Sequence, residues 1–519
     1  MLHLKPSTNV FRTARMPPIA RYTARIKFPS SLPQKRYQTT MARPDKINTL
    51  FNKIDELKPK FISRLGEAVA IPSVSADPAY RPDVVRMAQW LESQLKELGA
   101  TDIQLKELGP EPGHDNLQLP PIVLGRYGTD PAKKTVLLYG HYDVQPALKE
   151  DGWNSDPFKL VENGDCLYGR GSTDDKGPVM DWLNILQAHN ELGMEIPVNL
   201  VFCFEGMEES GSIGLDDLIK AEKDAYFKGV DAVCISDNYW LGDKHPVLTY
   251  GVRGVSYYTL TIEGPAADLH SGLFGGVVHE PMIDLAHVMS KLVDPSGKIL
   301  IPGIAEMVAP LTKEEDQRYD NIQFDLEGFE HNIGSKTVIH DNVKSALQAR
   351  WRYPSLSIHG VEGAFYNPGA KTVIPAKVIG KFSIRTVPNI EPRKLDEVVF
   401  KHCQEAFDSL GSKNKFKVEL VHDGDYWVSD PNNWSFRAAR RATKDVWGVE
   451  PDLTREGGSI PITLTFQDIL ETSVILLPVG RGDDGAHSTN EKINISNYIE
   501  GAKTLGAYLH YLAEETKDA

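Results

Sequence analysis

The chain has 519 residues, 41% of them hydrophobic, with 57 Lys and Arg against 71 Asp and Glu and a formal net charge of −14. That length suits two large or three average domains of ordinary globular composition. No run of about 18 apolar residues predicts a membrane span, and the acid excess argues against nucleic acid as a partner.

Residues 1–40 differ from the rest. They hold eight cations (Lys5, Arg12, Arg15, Arg21, Arg25, Lys27, Lys35 and Arg36), many hydroxyl residues and no acid. Such a start resembles a mitochondrial presequence; a basic tail without an address is the alternative. Met41 offers a second start. A helix is predicted from Asp45 to about Ala70, with Leu50, Ile54, Leu57, Phe61 and Leu65 on one stripe. Strands and helices then alternate to about residue 240, as βαβ units do. The runs Thr135–Tyr139, 197–204, Ala232–Ile235 and 474–479 are apolar and β-branched, which suits strands buried on both faces. After Tyr250 the pattern changes. Val255–Ile262 alternates like a half-exposed strand, followed by a helix near Pro281–Leu292, a strand over Val378–Ile384, a helix over Pro392–Leu410 and a strand over Phe416–Val421. A helix over Trp434–Trp447 and a terminal helix over Ile495–Ala513 complete the chain. The division is a basic tail 1–40, a discontinuous α/β domain formed by 41–245 and 427–519, and an inserted α+β segment 246–426. The four cysteines are scattered and form no CxxC pair, which points to free thiols and away from a thiolate zinc site.

Five windows carry chemistry: Gly140-His141-Tyr142-Asp143, Gly171-Ser172-Thr173-Asp174-Asp175, Glu208-Glu209-Ser210-Gly211, Ser236-Asp237-Asn238 and Gly485-Ala486-His487-Ser488. Each places His, Asp or Glu where an apolar strand gives way to a Gly/Ser-rich loop. In open α/β sheets, sites form outside the carboxyl ends of the strands. His141, Glu208, Glu209 and Asp237 are therefore expected at one edge. Asp174, after a short strand Cys166–Tyr168, and His487, after strand 474–479, fit the same scheme. Converging carboxylates and imidazoles are the donors two divalent ions need.

These windows resemble the co-catalytic zinc dipeptidases, a family that includes cytosolic non-specific dipeptidase, carnosinases and fungal Cys-Gly metallodipeptidase. Tyr168-Gly169-Arg170-Gly171, Trp351-Arg352-Tyr353-Pro354-Ser355-Leu356 and Leu453-Thr454-Arg455-Glu456-Gly457-Gly458-Ser459 extend the likeness from about residue 45 onward. The resemblance implies an α/β fold, with a largely parallel-sheet metallopeptidase domain and an inserted α+β lid and dimerisation domain. It implies two zinc or manganese ions, with His141 and Asp237 on one, Glu209 and His487 on the other, and Asp174 bridging both. Asp143 would orient His141, and Glu208 would be the general base. His270, in Asp268-Leu269-His270-Ser271-Gly272, would steady the oxyanion across a homodimer. Arg385 would clamp the substrate carboxylate, with Thr372, Gly458 and Ser459 as further substrate contacts. The peptide bond after Asp174 is cis in that family.

The implied function is hydrolysis of dipeptides with a free C-terminal carboxylate, foremost Cys-Gly in glutathione breakdown, in the cytoplasm, with a mitochondrial form from the basic start. Two alternatives stay open: an N-acyl-amino-acid amidohydrolase of the same chemistry, and a non-catalytic scaffold of a peptide-degrading complex. The intact ligand set and Glu208 argue against the scaffold.

Overall fold

Four parallel strands form the middle of the large sheet, in the spatial order Asn199–Glu205, Thr135–His141, Ala232–Ile235, Ser473–Leu476. The computed structural model describes residues 44–518; the basic segment 1–40 lies outside them. Successive residues of the central strands enter different cores. Val136, Leu138, Leu200, Phe202 and Phe204 pack on one face with helices Asp45–Val69, Arg81–Glu97, Lys176–Leu192, Trp434–Trp447 and Ile495–Glu514. Leu137, Tyr139, Val201, Cys203, Val233 and Ile235 pack on the other with helices Leu215–Glu222 and Pro461–Leu470. Both faces are covered, so these strands read as unbroken apolar runs. The predicted stripe of the first helix is fully used: Leu50, Ile54, Leu57, Phe61 and Leu65 are all buried. Each such side chain contributes about 1.5–3 kcal/mol of burial free energy.

The sheet is mixed rather than parallel throughout. Thr101–Lys106 and Ile122–Tyr127 add antiparallel strands at one side. Val247–Val252 adds another at the far side, pairing antiparallel with Ser473–Leu476 and Trp427–Val428, and parallel with Asp452–Glu456. The strand Cys166–Tyr168 stands outside this sheet, in a small antiparallel one with Val161–Asn163 and Lys492–Asn494. Asp174 therefore reaches the site from a loop and not from the edge of the large sheet.

Between residues 254 and 424 lies a four-stranded antiparallel sheet, ordered Ser355–Glu362, Lys377–Thr386, Gly254–Glu263, Lys415–Gly424. Gly254–Glu263 alternates strictly between buried and half-buried positions. Tyr258, Leu260 and Ile262 face helices Pro281–Met289 and Pro392–Asp408. Short helices at Ile304–Met307, Lys313–Arg318, Leu326–Asn332 and Val343–Trp351 fill a stretch for which the sequence reading predicts no element. All four cysteines are free; Cys166 is half-buried and the others buried.

Candidate metal centre and active site

His141 ends one central strand, Glu208 and Glu209 follow the end of its neighbour, and Asp237 lies two residues beyond the next. Parallel pairing of these strands brings three chain-distant windows to one sheet edge. The His141 side chain is completely buried, and that of Asp237 is 9% exposed. Their ligand atoms, His141 Nε2 and Asp237 Oδ1, are 3.7 Å apart.

Asp174 completes the cluster from a loop held by Glu491. That buried carboxylate accepts from the Arg170 guanidinium at 2.7 Å, from Gly171 N and Thr173 N at 3.0 Å each, and from Asp174 N at 3.2 Å. Asp484 braces the same loop, accepting from the Thr173 hydroxyl at 2.9 Å and from Arg481 N at 2.8 Å. The Asp174–Asp175 peptide is cis, as the resemblance implies. Asp174 Oδ1 lies 3.2 Å from His141 Nε2, and its Oδ2 lies 3.1 Å from His487 Nε2. His487 Nε2 is also 3.0 Å from Glu209 Oε2. His487 adopts φ 60°, a left-handed backbone that non-glycine residues rarely occupy. Such strain clusters at functional sites.

Two groups of ligand atoms result: His141, Asp175 and Asp237, and Asp174, Glu209 and His487, with ligand atoms in each group within 4.8 Å of one another. Asp175 is not among the predicted ligands. Its Oδ2 accepts from the His141 backbone N–H at 3.2 Å, which places it behind the imidazole. Glycine at 140 makes room for it, since a Cβ there would stand 2.7 Å from that oxygen.

The donor set fits divalent cations. Three carboxylates and two imidazoles without a thiolate suit hard-to-borderline ions. Burial pushes Asp237 up to about 6, against the pull of His141. His487 is raised to about 10 by its hydrogen bonds to Asp174 and Glu209, against burial. The two carboxylates thus draw positive charge to the His487 ring, as they would draw a divalent ion. Burial opposes charge on His141, yet Asp237, with hydrogen bonds to Asp143 and Asp174, still raises its pKa well above the ordinary value.

His141 Nδ1 lies 3.1 Å from the Asp143 backbone carbonyl and 3.3 Å from its Oδ1, and Asp143 does more than face the imidazole. Its two oxygens also accept from the Glu208 and Glu209 backbone N–H groups, each at 3.2 Å. One carboxylate thus ties His141 to the turn bearing both glutamates. Gln145 donates to Glu209 Oε2 at 2.8 Å. Glu208 lines the cleft beside the cluster. Burial, with the negative charges of Asp237, Glu209 and Asp143, pushes its carboxyl well above the usual range, against the pull of His141.

The cleft has a volume of ≈ 1000 Å³ and includes Asp174, Glu208, Asp237, His487, Gly458 and Ser459 in its wall. Arg385 joins through Ser459, donating from Nη1 to its hydroxyl at 2.8 Å. His270 and Thr372 stand apart from this wall. His270 is exposed, in a two-stranded ribbon with Val373–Ile374, and Ser271 N donates to the Thr372 carbonyl at 3.2 Å. Sequence reasoning missed Glu491, Asp484, Gln145 and the double role of Asp143. No periodicity or motif marks a buried carboxylate whose partners are backbone N–H groups of another loop.

The family model described as peptidase family M20/M25/M40 matches residues 137–511. The chain belongs to that family. Within the M20/M25/M40 peptidases it is 67% identical over 470 residues to the Cys-Gly metallodipeptidase of Candida albicans, covering 90% of this chain and 97% of the relative. The solved structure of a di-peptidase from Saccharomyces cerevisiae is 61% identical and superposes with a TM-score of 0.83, covering 90% of this chain and 98% of the other. Human carnosine dipeptidase 1 is 44% identical with a TM-score of 0.84, covering 91% and 99%. Among the described residues, no helix is long and apolar enough to cross a membrane.

Proposed function

We propose that the protein is a dinuclear metallodipeptidase that hydrolyses Cys-Gly and related dipeptides with a free C-terminal carboxylate. The observation that carries this reading is Asp174: its two oxygens each face a different imidazole, His141 and His487, inside one cleft. High identity to Cys-Gly metallodipeptidases over nine-tenths of the chain supports the substrate. Cys-Gly is what remains of glutathione once its γ-glutamyl group is removed, so the enzyme belongs in glutathione breakdown.

His141 and Asp237 would hold one divalent ion and Glu209 and His487 the other, zinc or manganese, with the Asp174 carboxylate available to both. Bound there, the pair supplies Lewis acidity and lowers the pKa of water. Glu208 accepts the proton of the attacking water and carries it to the leaving amine. Asp143 fixes the His141 ring and the glutamate turn. Arg385 takes the substrate carboxylate in a bidentate fork, with Thr372, Gly458 and Ser459 around the substrate. Residues 246–426 act as lid and dimerisation domain. His270 reaches the developing oxyanion of the other subunit in a homodimer. Exposed Leu273 and Val277, close behind His270, support burial of that ribbon against a second copy. The enzyme works in the cytoplasm.

A panel of Cys-Gly, carnosine and N-acetyl amino acids, assayed with zinc or manganese after chelation, tests the reading. Cys-Gly should be cleaved fastest and only with metal restored. Cleavage of N-acetyl amino acids with Cys-Gly untouched would make the protein an amidohydrolase. No turnover of any substrate would make it a scaffold.

A further inference from the structure

A single residue, Arg253, separates strand Val247–Val252 of the large sheet from strand Gly254–Glu263 of the four-stranded sheet. It is bonded on every side. Its backbone N–H donates to Gly458 O at 3.1 Å and Glu456 O at 3.3 Å. Its guanidinium donates from Nε to Gly457 O at 3.0 Å and from Nη1 to Ser355 Oγ at 2.9 Å. Its carbonyl accepts from the Ser459 hydroxyl at 2.6 Å. Glycine at 457 permits this packing, because a Cβ there would lie 3.2 Å from both Arg253 Nη2 and Arg350 Cγ.

The Ser459 hydroxyl has one proton. A carbonyl cannot donate, so that proton lies on the bond to Arg253. Toward Arg385 Nη1, at 2.8 Å, the same oxygen can only accept. In this arrangement the Ser459 hydroxyl accepts from Arg385 and so aims its fork. This is also the one hydrogen bond of the Arg385 side chain among the described residues, leaving its other N–H groups for a ligand. The strand bearing Arg385 is gripped on both flanks. Arg385 pairs with Val255, two residues after Arg253, and with Ser355, which Arg253 itself bonds.

Three guanidinium groups crowd this corner. Arg350 is paired with Glu456 at 3.0 Å. Burial, with the charges of Arg385 and Arg350, lowers Arg253 to about 10. A corner with more cations than acids suits an anion.

We propose that Arg253 is a positioning residue for recognition of the substrate's C-terminal carboxylate: its guanidinium holds the Gly457 carbonyl, and so the turn whose Ser459 hydroxyl aims Arg385, together with Ser355 beside Arg385, at the joint between the two sheets. The proposal rests on reading Arg385 as the carboxylate clamp, so the test separates the two. Arg253→Ala, Ser459→Ala, Arg385→Ala and the double variant Arg253→Ala/Arg385→Ala are assayed on Cys-Gly and Cys-Gly amide in the metal-loaded enzyme. Arg253→Ala and Ser459→Ala should each raise KM for Cys-Gly about tenfold with kcat little changed. Arg253→Ala should leave the residual kcat/KM for the amide unaltered. In the Arg385→Ala background, Arg253→Ala should have no further effect, because the two act as one unit. Arg253→Lys, with one donor restored, should recover part of the loss. Multiplying effects in the double variant would overturn the relay and leave the clamp standing. So would an unchanged KM in Ser459→Ala, or equal losses on the amide. An unchanged KM in Arg385→Ala would remove the clamp and the relay together. If Arg253→Ala does not fold, Ser459→Ala and Arg253→Lys carry the same comparison.

Discussion

Glu208 and Glu209 are neighbours in sequence with different surroundings. Glu209 Oε2 is engaged by Gln145 at 2.8 Å and by His487 at 3.0 Å, whereas the Glu208 side chain lines the cleft. Their shared backbone anchor, Asp143, explains how one can ligate while the other stays available to water. Glu208→Gln keeps the shape and loses the proton acceptor. It should retain both metals, measured by elemental analysis, while kcat falls roughly 10²–10⁴-fold; near-normal turnover would place the base elsewhere. A second residue-scale feature lies in the core, away from the site. His189 Nδ1 is 2.8 Å from Ile185 O, and its Nε2 is 3.0 Å from His510 Nε2. His189 thus donates to the helix carbonyl, and His510 donates to His189. Burial, with His189 beside it, holds His510 down to about 3. The folded state therefore keeps it neutral while an unfolded chain protonates it below about 6.5. Its stability contribution is whole above pH 6.5 and is lost as pH falls toward 3, by about 1.4 kcal/mol at the first unit below 6.5. His510→Gln keeps a donor and does not titrate. Its Tm should decline less than the parent's between pH 7 and 5, and parallel curves would refute this.

At the scale of elements, the site is built where separate loops meet, and Glu491 is the peg. It bonds four donors of the 170–174 loop and lies four residues past His487. Two ligand-bearing loops are thus joined by one buried carboxylate. Glu491→Ala would leave Arg170, 3% exposed at its side chain, without its partner. Breaking a buried pair from one side costs about 3–5 kcal/mol. Chemical denaturation should show that loss, with weaker metal retention beside it; a loss under about 1 kcal/mol would show the peg to be dispensable. The helix Asp45–Val69 matches because its apolar stripe is long and regular, and the strands Thr135–His141, Asn199–Glu205 and Ala232–Ile235 match because burial on both faces leaves unbroken apolar runs. The short helices at Ile304–Met307 and Leu326–Asn332 escaped because four to seven residues carry too few turns to show a period.

For the whole molecule, the question is how His270 acts. It is exposed on a ribbon apart from the cleft wall, a few residues before exposed Leu273 and Val277. In the proposed homodimer, His270→Ala should lower kcat by about 10²–10³-fold, as for other oxyanion donors, without changing metal content. Mixing His270→Ala with Glu208→Gln should then restore activity as subunits exchange, since a mixed dimer holds one site with both groups intact. Continued inactivity after confirmed exchange would place the histidine's action within its own chain, or nowhere in catalysis.

Sequence alone determined which residue types stand at strand ends. Val136–Tyr139 and Ala232–Ile235 are apolar on both faces, so the polar residue that follows each must lie at the sheet edge. That logic made His141, Glu208, Glu209 and Asp237 legible together, and the same strand-to-loop scheme, joined by the resemblance to the dipeptidases, took in Asp174 and His487. Tertiary structure decided the rest. The cross-loop bonds of Glu491, the turn held by Asp143 and the Arg253–Ser459–Arg385 chain depend on distances between residues up to 321 positions apart. A buried carboxylate bonded to backbone N–H groups has no periodicity and no motif. Its partners exist only once the chain has folded, and which oxygen faces which proton is a property of that packing.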